Sequence, residues 1–170
     1  MTSESYPLLP KGPDQFSQQF ITDNGLVYSI LVFKHLLLES LILDLQINFC
    51  GSVLEFSFLL EEDKETTGID NKIEETIISV LKGILLNQID LIIIGVYDSR
   101  DERQQAREKL FSKWALRHQN AITNLFFYSN TIATTGFCVL TTTSQISHSQ
   151  LKEYVNQLAQ TTYSLKNDLP

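Results

Sequence analysis

The run Leu91–Val96, Leu-Ile-Ile-Ile-Gly-Val, constrains this chain more than any other stretch. It is β-branched, uncharged and too short for a buried helix, so it predicts a strand covered on both faces at the centre of a sheet. It leads directly into Asp98-Ser99-Arg100-Asp101-Glu102, where Ser99-x-x-Glu102 has capping-box spacing. Ser99 would cap a helix and Glu102 would reach back to the Ser99 amide. The helix is expected to start near Arg100, with Leu110, Phe111 and Trp114 on an apolar stripe. Arg103 and Arg107 then lie one turn apart on a neighbouring face.

The remaining elements follow from periodicity and turn chemistry. Asn24-Gly25 between strand-like runs at Gln18–Asp23 and Leu26–Lys34 predicts a hairpin with a type I′ turn. Leu41–Phe49 alternates apolar and polar residues, turns at Gly51-Ser52 and returns as Val53–Leu60, which reads as a second hairpin. Asn71–Asn87 carries Ile73, Ile77, Val80, Leu81 and Ile84 at helical spacing, with Asp70 as N-cap and Gly83 as a point of close approach to a strand. Ala121–Ser129 and Thr131–Thr142 read as a third hairpin turning at Ser129-Asn130, its Thr-rich second strand at an edge. Ser147-His148-Ser149-Gln150 repeats the capping-box spacing before a helix bearing Leu151, Tyr154, Val155 and Leu158. The expected fold is α+β, a mostly antiparallel sheet of six to seven strands with three helices, in the order β-β-β-β-α-β-α-β-β-α. One domain at 16–162 is expected, preceded by a loose lead-in at 1–15 and followed by a frayed tail at 163–170.

Composition bounds the functional classes. With 170 residues, 43% hydrophobic and 19% charged, the chain suits one ordinary globular core. A net charge of -7 works against a phosphate backbone, so nucleic acid is not an expected partner. Cys50 and Cys138 lack C-x-x-C spacing and neighbouring His pairs, so no metal is expected and both are read as buried free thiols of a reducing cytoplasm. The N-terminus has no basic start or apolar core of a signal peptide. The apolar span Leu26–Phe49 is broken by Lys34, His35, Glu39 and Asp44 short of the roughly 20 residues a membrane helix needs, so no membrane contact is expected.

Two resemblances extend this reading. The pattern Phe20-x-Thr22-x-x-Gly25-x-x-Tyr28, Ile73-x-x-Thr76-Ile77 and Asp98-x-x-Asp101-x-Arg103-x-x-x-Arg107-x-x-x-Phe111-x-x-Trp114 resembles an uncharacterised bacterial family of the Bacteroidota. That family covers about Phe16 to Thr161 and lends no function. The order of elements is also similar to the acyl-CoA N-acyltransferase fold. That likeness implies a pyrophosphate-binding loop at a helix N-terminus, here Gly68, Ile69, Asp70 and Asn71, and acetyl-CoA as the cofactor. Only Gly68 of Glu65-Thr66-Thr67-Gly68-Ile69-Asp70 matches that loop, and the carboxylates at its ends oppose phosphate.

Asp98 and Asp101 sit at the carboxyl end of the central strand, where open α/β sheets place ligands. They could hold a cation or act as a base, or simply stabilise the helix N-terminus. Arg103 and Arg107 could grip a phosphate or carboxylate, or form a solvated face beside Glu108. His35, His118 and His148 are scattered, so no catalytic set is expected. The ligand-binding candidates are therefore Asp98, Asp101, Arg103 and Arg107. The expected function is binding, as a cytosolic bacterial module that engages a protein partner in a regulatory or accessory role. The alternative is an acyl-CoA-dependent N-acyltransferase or an inactive descendant of one, and a small-molecule sensor floored by Asp98–Arg107 is a third reading.

Overall fold

Leu91–Tyr97 has a paired neighbour along each edge and a helical layer against each face in the computed structural model, and the fold is built outward from it. The structure describes residues 5–11, 17–34, 40, 48–61, 70–88, 90–97, 104–122, 124–132 and 135–167. Among these the strands are β1 (Leu9–Pro10), β2 (Gln18–Ile21), β3 (Val27–Lys34), β4 (Ser52–Leu60), β5 (Leu91–Tyr97), β6 (Phe126–Ile132) and β7 (Thr135–Thr141). The helices are α1 (Asn71–Asn87) after β4, α2 (Gln104–His118) after β5, and α3 (His148–Asn167) after β7. The sheet order is β1-β2-β3-β4-β5-β7-β6, and every pair is antiparallel except β4–β5. This is the α+β class and element order that the sequence patterning predicts.

The alternation of β5 explains the layering. Leu91 and Ile93 face one core with Ile77, Leu81 and Ile84 of α1 and Trp114 of α2. Ile92 and Ile94 face a second core with Leu151, Tyr154, Val155 and Leu158 of α3. On α2, Trp114 is buried and meets Phe111 edge-on at 5.1 Å, whereas Leu110 is exposed and leaves the expected stripe. Buried Ala115 takes its place.

Three turns differ from expectation for identifiable reasons. The β2–β3 hairpin closes at Asn24-Gly25, but by a three-residue connection in which Gly25 alone has positive φ, 75°. Gly25 N donates to Thr22 O and Thr22 N to Leu26 O, both at 2.9 Å. The Thr22 hydroxyl also accepts from Leu26 N at 3.1 Å, which holds the extra residue that a type I′ turn lacks. A hairpin is expected between Leu41–Phe49 and Val53–Leu60, but among the described residues β4 pairs with β3 and, from Ser52 to Phe56, with β5. Leu41–Ile47 lies outside the described residues. At Gly51 a β-carbon would run into the Asp90 carbonyl that Ser52 N bonds at 3.0 Å, so this glycine serves a close approach.

The third hairpin turns later than expected. Ile132 pairs with Thr135, so Ser129 and Asn130 lie inside β6, and the Thr-rich β7 is internal while β6 is the edge. Threonine suits this interior because its hydroxyls meet backbone and side chains of the β5 entry. Thr141 donates to the Leu91 carbonyl at 2.5 Å and Thr143 to Asp90 Oδ1 at 2.8 Å. The Ser147 capping box forms as read, with Gln150 N bonding Ser147 Oγ at 3.3 Å and Ser147 N bonding Gln150 Oε1 at 3.1 Å. The α3 backbone stays helical to Asn167, past the expected fraying point.

Within the expected lead-in, the described residues 5–11 pack on the fold. Tyr6 is buried and stacks on Phe20 at 5.6 Å, its N–H donates to Thr76 Oγ1 at 2.8 Å, and Leu9–Pro10 pairs with Gln18 and Gln19. Cys138 is buried as expected, but Cys50 is exposed. Asp70 caps α1 as read, accepting from Lys72 N at 2.9 Å. Gly83 does not serve close approach, since a β-carbon there meets nothing within 4 Å. Gly83→Ala is therefore expected to stabilise the protein by up to about 1 kcal/mol through helix propensity, read as a higher urea midpoint with an unchanged slope.

Candidate interaction site

The two edges of the sheet are built differently. At one end β1 is two residues long and includes Pro10, which has no N–H to offer another strand. At the other end β6 runs for seven residues, Phe-Phe-Tyr-Ser-Asn-Thr-Ile, with no charge and no proline, and every residue is half-exposed. Aromatic and β-branched residues make it a good strand, and nothing in its composition blunts it.

Its hydrogen-bonding pattern follows from the register. The Ile132–Thr135 pair flanks a two-residue connection, so the residues bonded to β7 are Ile132 and every second residue before it. The N–H and C=O groups of Phe127, Ser129 and Thr131 therefore turn outward. Among the described residues no strand pairs with that side.

Helices hold both faces of this edge. On the α2 side Phe127 packs into the core, and the Ser129 hydroxyl donates to Glu108 Oε1 at 3.0 Å. On the α3 side the Tyr128 hydroxyl and Asn130 Nδ2 both donate to Asn156 Oδ1, at 3.1 and 2.9 Å. His148 stacks on Phe126 at 4.2 Å, and the Lys152 ammonium lies 5.6 Å from the Tyr128 ring. The Thr131 hydroxyl is buried without a hydrogen-bond partner. The strand is thus framed on both faces, and among the described residues no strand pairs with its outer backbone, a geometry compatible with β-strand addition.

Of the residues singled out in sequence, Arg107 lies on α2, next to the Glu108 that bonds β6. Asp98, Asp101, Arg103, Gly68, Ile69 and the Ser99 cap lie outside the described residues. Asp70 and Asn71 belong to another region, the α1 N-terminus. There the Tyr6 hydroxyl donates to Asp70 Oδ2 at 2.6 Å, and Lys72 Nζ meets Asp23 Oδ2 at 2.8 Å. Burial, followed by the hydrogen bond to Asp70, raises the Tyr6 hydroxyl above its usual pKa, so it remains a donor. The Asp23 carboxylate likewise raises Lys72.

Sequence reasoning missed the buried Glu74. It accepts from Arg117 Nη1 at 2.5 Å and lies 3.1 Å from His118 Nε2, joining α1 to α2. It also misses the β6 edge, because the turn expected at Ser129-Asn130 falls inside that strand. One sequence signal points there: the span 119–147, between two charged helices, contains no charged residue at all.

Among the described residues no group of three or more His, Cys, Asp or Glu side chains converges, and no helix is long and apolar enough to cross a membrane. The chain matches no family model and no curated protein sequence.

Proposed function

We propose that this chain is a protein-interaction module, regulatory or accessory in role, which takes an extended segment of its partner as an added strand on β6. The observation that supports the reading is the contrast between a two-residue, proline-containing edge and a seven-residue, uncharged one. Long uncharged edges promote unwanted pairing and are normally blunted, so one left open between two framing helices fits regulated use. Ser129→Pro tests this. The Ser129 N–H points outward, so proline is compatible with the β6–β7 ladder but removes the central donor of the edge. Tagged wild-type protein recovered from its native cell is expected to bring down a stoichiometric partner that folded Ser129→Pro protein fails to hold. The same partner on both would contradict the reading.

One observation favours the acyl-CoA reading. The parallel pair β4–β5 is in register only to Phe56 and Gly95, whereas β4 continues to Leu60 against β3 and β5 to Tyr97 against β7. The two strands therefore part at their carboxyl ends, where open sheets bind ligands. Against it, Asp70 places a carboxylate on the Lys72 amide at the α1 N-terminus, where a pyrophosphate would need that donor. Acetyl-CoA is accordingly expected to leave the melting temperature unchanged. A saturable rise at micromolar acetyl-CoA would promote the enzyme reading instead.

A further inference from the structure

We infer that the segment taken up along β6 is acidic. This rests on the strand-addition reading and adds the chemistry of the partner. Charge is divided unevenly along the chain: residues 1–103 hold seventeen carboxylates against seven Lys and Arg, whereas 104–167 hold two carboxylates against six Lys and Arg. The second span comprises α2, β6, β7 and α3, the elements that build the open edge.

The local arrangement repeats this sign on the α3 face of β6. On α2, Lys109 and Lys113 are exposed, while Glu108, the carboxylate that reaches β6, is already engaged by Ser129. On α3, Lys152 is exposed and held over the Tyr128 ring at the edge itself. A strand laid along Phe127, Ser129 and Thr131 points alternate side chains toward the two helices, so carboxylates on its α3-facing side would meet Lys152. A basic segment would meet like charge at Lys152. A second copy of this chain would bring a net charge of -7 with it, but its own β6 is uncharged and gives those lysines nothing to pair with.

The test uses labelled seven-residue peptides that alternate Val with Glu, Lys or Thr, titrated against the full chain by fluorescence anisotropy. At low ionic strength the Glu peptide is expected to bind on the order of tenfold more tightly than the Thr peptide, and the Lys peptide most weakly. The preference is expected to shrink in high salt and to disappear in the Lys109→Glu/Lys152→Glu variant. A Glu peptide N-methylated at alternate residues should not bind, because its strand donors are gone. Equal binding of the Glu and Thr peptides would overturn the acidic assignment while leaving strand addition standing. Equal binding of the N-methylated peptide, or no binding by any peptide, would overturn both. A dimer in sedimentation that Ser129→Pro abolishes would assign the edge to a second copy and overturn the inference.

Discussion

Ile93→Asp is expected to yield no folded protein. Ile93 is fully buried in the central strand, opposite Leu54 on one neighbour and Leu140 on the other. An aspartate there loses the packing of a core isoleucine, a term of about 2–5 kcal/mol, and buries a carboxylate with no partner, which costs several kcal/mol more. Together these consume most of a typical domain stability of about 5–15 kcal/mol. Circular dichroism and thermal unfolding check it: the variant should show no cooperative transition. Ile93→Val, which deletes one methyl group, should fold and lose only about 0.5–1.5 kcal/mol. A soluble, cooperatively melting Ile93→Asp protein would remove β5 from the centre of the core.

Tyr6→Ala is expected to cost about 3–5 kcal/mol, the range for truncating a buried aromatic side chain. The ring stacks on Phe20, and the hydroxyl bridges Asp70 Oδ2 and the Asp23 N–H, so the change leaves a cavity and unsatisfied polar groups together. Urea titration should show a lower midpoint with an unchanged slope. A loose N-terminal segment would instead give a change within about 0.5 kcal/mol, as for an ordinary surface position.

Much of the architecture was legible because it rests on local rules. Strand β5 announced itself by a β-branched run, α1 by its apolar spacing and the Asp70 cap, and α3 by the Ser147–Gln150 box. What failed depended on non-local pairing. Leu41–Phe49 alternates well enough for a hairpin, but among the described residues β4 pairs with β3 and β5, which lie far apart in sequence. Ser129-Asn130 has turn chemistry, yet Glu108 and Asn156 reach in from two helices and satisfy both side chains within a strand. Tyr6 carried no periodic signal, because its burial depends on Phe20, Thr76 and Asp70 meeting in space.

The candidate site was less legible than the fold for the same reason. An edge strand differs from an internal one by which neighbour is missing, and composition does not encode that. Arg107 came close, one residue from the Glu108 that braces β6, but for its charge and not for the backbone it flanks.

Amide hydrogen exchange along β6, resolved residue by residue by NMR, tests the central claim most directly. In the free protein the Phe127, Ser129 and Thr131 amides should exchange much faster than those of Tyr128, Asn130 and Ile132, which are bonded to β7. Saturation with the Val/Glu peptide should protect the three outward amides and leave the inward ones unchanged. Outward amides already as protected as their neighbours in the free protein, or unaffected by bound peptide, would contradict the account.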